Sequence, residues 1–150
     1  MRVVIQRVTE ASVTVGGKIS GQIGSGLLVL AGFEATDTDD DLAWMAGKIV
    51  RLRLFDDEAG MMNRSVQEID GEILAVSQFT LYASLQKGNR PSWSGAAKGE
   101  ISHPLFDSLV EKLAAALGKP IATGVFGADM KVSLINDGPV TITIDSRAPK

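Results

Sequence analysis

Apolar and polar side chains alternate with period two through residues 2–8 and 11–15 of "MRVVIQRVTEASVTV". That pattern predicts strand, and "VGGKIS" supplies a turn after it. The run "SGLLVLAGF" at 25–33 is apolar throughout, as expected of a short strand buried on both faces. The period then changes. Leu42, Met45, Ile49 and Leu52 recur at helical spacing behind Asp37 or Thr38 as a cap. Asp39, Asp40 and Asp41 suit the positive end of that helix's dipole. Turn signals follow at Glu58-Ala59-Gly60 and Asp70-Gly71, the second leading into a strand from Ile73 to about Phe79. Residues 84–100, "SLQKGNRPSWSGAAKGE", break the pattern and read as a long surface loop, a length uncommon without a function. In "SHPLFDSLVEKLAAALG" a helix is expected with Ser102 as cap and Pro104 in the first turn. Leu105, Leu109, Leu113 and Leu117 fall on one face of it, and Gly118 is its stop. The order strands, helix, strands, helix, strands, without repeat or linker, predicts one α+β domain over 1–150 with largely antiparallel sheet and two main helices.

The last two alternating runs, "MKVSLI" and "VTITID", flank "NDGPVT". Asp-Gly between such runs signals a hairpin. A two-residue loop at Asp137-Gly138 would set Ser133 opposite Ile142 and Lys131 opposite Ile144, mixing apolar and polar positions on each face. A one-residue change of register repairs this, pairing Leu134 with Val140, Val132 with Ile142 and Met130 with Ile144. A five-residue loop from Ile135 to Pro139 is then favoured, because Pro139 cannot donate to a ladder. Its Gly138-Pro139 tip would present backbone carbonyls with almost no side-chain cover. Read alone, it is also an ordinary turn.

Composition narrows the chemistry. The chain has 150 residues, 45% hydrophobic and 22% charged, which suits one folded domain rather than disorder. It has no cysteine and a single histidine, His103. Disulfides, thiolate metal sites and cysteine nucleophiles are excluded, and a metalloenzyme is disfavoured. The N-terminal stretch lacks the long apolar core of a signal peptide, and the longest apolar run is too short for a bilayer. A soluble, cytoplasmic protein is expected, with no metal or cofactor. The net charge of −3 argues against nucleic-acid coating but leaves room for a local basic patch.

Two further stretches carry candidate chemistry. In "AVSQFTLYA" a buried strand runs into Ser77, Gln78, Phe79 and Thr80, where polar groups at a strand end can build a small site. Thr80 is a candidate nucleophile or relay, and the backbone N–H near Phe79 is a candidate oxyanion donor. No base stands nearby in sequence, which weakens direct attack by Thr80. The ordinary alternative is Ser and Thr capping a strand end. In "KGNRPSW", with Lys98 close behind, Lys87, Arg90 and Lys98 can neutralise phosphates and Trp93 can stack on a base. The ordinary alternative there is a solvated loop whose aromatic packs inward. His103, before Pro104, reads as structural or surface.

Taken together these segments resemble the D-aminoacyl-tRNA deacylases of the bacterial and eukaryotic type. The family's Ser-Gln-Phe-Thr-Leu motif is matched by Ser77 to Leu81, and its Asn-X-Gly-Pro-Val-Thr motif by Asn136 to Thr141. The opening "MRVVIQRVTEASVTV" and "GNRPSW" are similar too, with Trp93 where phenylalanine is commoner. The resemblance implies a barrel-like core and a homodimer with sites at the subunit interface, each completed by the partner's Gly138-Pro139 tip with a cis peptide. Arg7 is then the residue that orients the tip. The implied substrate is aminoacyl-tRNA, hydrolysed at the ester of its terminal adenosine. The D form and glycyl-tRNA mischarged on tRNA(Ala) would be cleaved, and the L form rejected by exclusion. Ser77 and Gln78 would shape the pocket, Phe79 N–H would hold the oxyanion, and Thr80 would position the ester while the ribose 2′-OH assists water. The competing reading is a non-catalytic RNA or small-molecule binding module of the same fold.

Overall fold

The computed structural model describes residues 1–149. Eight strands and two helices follow in the order β1 (Arg2–Val15), β2 (Lys18–Ile23), β3 (Gly26–Gly32), α1 (Asp39–Arg51), β4 (Phe55–Asp56), β5 (Met62–Arg64), β6 (Glu72–Ser77), α2 (Gly99–Leu117), β7 (Ala122–Thr123) and β8 (Lys131–Asp145). The main sheet has the order β2-β1-β3-β6-β7, with β8 along the other edge of β1, and β4-β5 form a separate small ribbon. The pairings of β1 are antiparallel, whereas β3-β6 and β6-β7 are parallel, each spanning a helical crossover. The sheet curls until β2 nears β7, where Ser20 Oγ donates to the Thr123 carbonyl at 3.5 Å. The result is a nearly closed, mixed barrel-like sheet.

Burial on two faces accounts for the uninterrupted apolar run of β3. Leu27, Val29 and Ala31 pack with Ile73 and Ala75 of β6 against α1 and α2. Leu28 turns the other way, into the interior of the curl with Leu74, Val76, Val8 and Val13. Helix α1 buries Leu42, Met45, Ala46, Ile49 and Val50, and Thr38 caps it with a capping box closed by Asp41. Helix α2 ends as expected at Gly118, whose φ of 83° is left-handed.

The start of α2 differs from expectation. It begins at Gly99 with Lys98 as N-cap, so Ser102 is not a cap but a buried residue of the helix. Pro104 therefore lies beyond the first turn, and the Glu100 carbonyl lacks its usual partner. The helix also shortens the preceding loop, which reciprocal bonds between the Ser84 and Ser92 backbones close at 2.8 and 2.9 Å.

The larger correction concerns "NDGPVT". No hairpin forms there. β8 is one strand, and both of its alternating runs pair with β1: Val132 lies opposite Val13, and Ile142 opposite Ile5. Between the pairs Gln6–Thr141 and Val8–Asn136, β1 advances by two residues and β8 by five. The surplus is extruded as an exposed bulge with Asp137, Gly138 and Pro139 at its tip. The proline sits where no ladder bond is required, and the chain then resumes its original direction.

Asp37, read as a possible cap, instead anchors the chain's first residue. Its carboxylate lies 2.6 Å from the Met1 ammonium, and both side chains are fully buried. It also accepts the Glu34 N–H at 2.8 Å. Asp37→Asn would leave the ammonium uncompensated, with Arg147 nearby at 3.6 Å. The expected loss is about 3–5 kcal/mol. Urea unfolding followed by circular dichroism should show the midpoint falling by more than about 1 M.

Candidate active site

The last ladder contact of β6 is the Gln78 N–H donating to the Ala31 carbonyl at 2.8 Å. The chain then leaves extended geometry and turns through a single 3₁₀ turn, Phe79–Tyr82, so the strand stops two residues before its expected end. Gly32 permits this close passage, because a Cβ there would lie 2.8 Å from the Gln78 carbonyl. As the first residue of the turn, Phe79 has an N–H with no intrahelical acceptor. The other end of the turn is held by Arg2. It donates to the Leu81 carbonyl at 3.0 Å and lies 4.5 Å over the Tyr82 ring. Burial pushes the Tyr82 hydroxyl well above its usual pKa, reinforced by Asp37, Glu34 and Asp145.

A cavity of about 530 Å³ opens beside this turn. Such a volume suits a small-molecule or nucleoside site. Ser77, Gln78 and Phe79 line it together with Trp93, Lys98, Gly99 and Ser102 of α2, Phe126 and Met130. Phe79 and Trp93 meet edge to face with centroids 5.1 Å apart and remain partly exposed. Thr80 does not line the cavity; its hydroxyl accepts a hydrogen bond from Gln78 Nε2. Lys87 and Arg90 stand exposed on the loop closed by Ser84 and Ser92, outside the cavity wall. His103 stacks on Phe126 with centroids 4.3 Å apart, bracing that wall. Among the described residues no cluster of three or more His, Cys, Asp or Glu side chains could hold a metal.

The Gly138-Pro139 peptide is cis. Arg7, largely buried in β1 opposite the bulge, donates through Nε to the Asp137 carbonyl at 2.7 Å and through Nη1 to the Leu54 carbonyl at 2.6 Å. It thus ties the tip to the body. Asn136 fastens the base of the tip: Oδ1 accepts the Val140 N–H at 2.8 Å, and Nδ2 donates to the Val140 carbonyl at 3.0 Å. This clasp was not foreseen, although an asparagine four residues before the amide it holds was visible. Ser102, Phe126 and Met130 were missed as cavity residues, because only folding brings them beside Ser77. None of residues 136–141 lines the cavity of their own chain.

The family model described as D-Tyr-tRNA(Tyr) deacylase matches residues 4–145. A D-aminoacyl-tRNA deacylase of Dechloromonas aromatica is 71% identical over the full length of both chains, and one of Chromobacterium violaceum is 63% identical over the same span. Among solved structures, one titled c-Myc DNA Unwinding Element Binding Protein is 44% identical with a TM-score of 0.92, covering 99% of this chain and 100% of that one. A probable eukaryotic D-amino acid tRNA deacylase, 20% identical, shares the fold with a TM-score of 0.82 over 95% of this chain and 97% of its own. With its model matched nearly end to end and relatives this similar at full length, the chain belongs to the D-Tyr-tRNA(Tyr) deacylase family.

Proposed function

We propose that this protein hydrolyses the ester of D-aminoacyl-tRNA, releasing the D-amino acid and free tRNA, as a chirality proofreader in the cytoplasm. The observation that carries the reading is that Ser77, Gln78 and Phe79, whose N–H has no helical acceptor, all line one nucleoside-sized cavity. The terminal adenosine occupies the cavity with its ester carbonyl toward Phe79. Water adds to the carbonyl carbon, and the Phe79 N–H stabilises the oxyanion. The bond to the ribose oxygen then breaks, and that oxygen takes up a proton. An aminoacyl ester is already activated, so no strong base is needed. The 2′-OH of the substrate assists the water. Thr80 acts through Gln78, whose amide it receives, rather than as a nucleophile.

Lys87, Arg90, Trp93 and Lys98 receive the acceptor end, the cations on phosphates and Trp93 on a base. The Gly138-Pro139 tip, held by Arg7, is the chiral gate. Because it lies away from its own cavity, it serves the cavity of a second copy in a homodimer. Its carbonyls bind the amino group and leave no space for an L side chain.

Such a gate works by exclusion and makes no demand for a D side chain. Purified protein is therefore expected to cleave D-tyrosyl-tRNA and glycyl-tRNA and to spare L-tyrosyl-tRNA, measured as loss of labelled ester. Cleavage of none of the three would favour a non-catalytic RNA-binding module. Cleavage of the D form with glycyl-tRNA intact would overturn exclusion alone.

A further inference from the structure

Ser102, which does not cap α2, has another task. It is only 8% exposed and lines the cavity from α2, beside His103, which stacks on the lining residue Phe126. Its backbone N–H is spent on the Lys98 carbonyl at 2.8 Å. Its hydroxyl has no partner among the described residues, yet the only fully enclosed side-chain atom without one is the Tyr82 hydroxyl. The Ser102 hydroxyl therefore opens into the cavity. A ligand that covers this hydroxyl must pair with it, because an unpaired hydroxyl shut away from water is costly. The cavity's apolar lining includes Ala97, Phe126, Met130 and Val132.

This is poor ground for a phosphate. The N–H groups of Ile101 and Ser102 already bond to the Lys98 carbonyl, and the acidic Asp129 is among the residues lining the same cavity. A flat heteroaromatic ring with one polar edge suits the site: its faces meet alanine, phenylalanine and methionine, and its edge meets one hydroxyl. We propose that Ser102 is a specificity-determining residue that hydrogen-bonds the edge of the substrate's terminal base. This rests on the reading that the cavity holds the aminoacylated terminal nucleoside. The base then lies against α2 while the ester reaches Phe79. The contact persists unchanged through the reaction, so it contributes uniform binding and acts on KM rather than on kcat.

The test is a double-mutant cycle. Ser102→Ala and the wild-type protein are assayed on D-tyrosyl-tRNA ending in adenosine or in benzimidazole riboside, a flat ring without N1, N3 or the exocyclic amine, which a serine hydroxyl can pair with neither as donor nor as acceptor on that edge. Ser102→Ala is expected to raise KM about fivefold with kcat changed by less than about twofold. The wild type is expected to lose a similar factor in kcat/KM on the benzimidazole-ended tRNA, and the variant to be nearly indifferent to the change of base. Alanine favours helix, so an equal or higher melting temperature would exclude unfolding as the cause. An unchanged KM in Ser102→Ala, or penalties that simply multiply, would overturn the assignment of Ser102 and leave the hydrolase reading standing. A wild type inactive on adenosine-ended D-tyrosyl-tRNA would overturn both.

Discussion

Replacing Phe79 with proline is expected to lower kcat on D-tyrosyl-tRNA by about 10²–10³-fold, the usual cost of losing one oxyanion donor. The substitution removes little else from the backbone. Phe79 is the first residue of its 3₁₀ turn, a position that proline fits well because its N–H has no helical acceptor. Gln78 before it has φ −143° and ψ 83°, outside the right-handed helical region that a following proline disfavours. The variant also loses the aromatic ring, and with it the edge contact to Trp93. Phe79→Ala supplies the control, since it loses the ring and keeps the N–H. Its penalty is expected mainly in KM, about tenfold or less. Single-turnover measurements at saturating enzyme separate the two. If Phe79→Pro stays within about fivefold of Phe79→Ala in kcat, the backbone donor is elsewhere.

The parts of this fold that were legible in the sequence are those fixed by local chemistry. The start of α1 was legible as Asp37 or Thr38 followed by three aspartates, and the structure chooses Thr38, with Asp41 closing a capping box within a four-residue window. Gly118 marks the end of α2 because its left-handed φ suits glycine. The misreadings share a different cause. Alternation on both sides of "NDGPVT" is the same whether the two runs pair with each other or both pair with a third strand. The deciding fact lies far away: β1 runs for 14 residues and is matched along its length by β8. Ser102 was misread because a serine two residues before a proline resembles a helix start. The three residues upstream that already follow the helix carry no apolar periodicity. The cavity needed Phe126, Met130 and Ser102 brought to Ser77 by the parallel crossovers, and no spacing in the chain encodes that. The motifs drew attention to Ser77, Gln78, Phe79 and Arg7, but which of them share a wall was a property of the fold.

Gly138→Ala is expected to lower the ratio of D- to L-tyrosyl-tRNA hydrolysis at least tenfold, or about 1.4 kcal/mol of chiral selectivity. An added Cβ would collide with the Val140 backbone nitrogen and lie 2.8 Å from Val140 Cγ2. That nitrogen carries the N–H held by Asn136, so the clasp at the base of the tip must open. Arg7 holds the Asp137 carbonyl and Asn136 the Val140 carbonyl, so the Gly138 and Pro139 carbonyls between them then shift, and a filter that works by exclusion loses its edge. Asn136→Ala opens the same clasp without adding bulk and should move the ratio the same way by a smaller factor. A uniform fall in both rates with the ratio intact would reduce the tip to a structural element. Mixing subunits tests where the tip acts. A Gly138→Ala protomer paired with a Phe79→Pro protomer has one site with both defects. If tips serve the opposite cavity, its second site joins a native Phe79 to a native tip. With Phe79→Pro in about tenfold excess during refolding, nearly every Gly138→Ala protomer sits in a mixed dimer, and the D-to-L ratio should return toward the wild-type value. If each tip serves its own chain, every site with a native Phe79 keeps the altered tip and the ratio stays low.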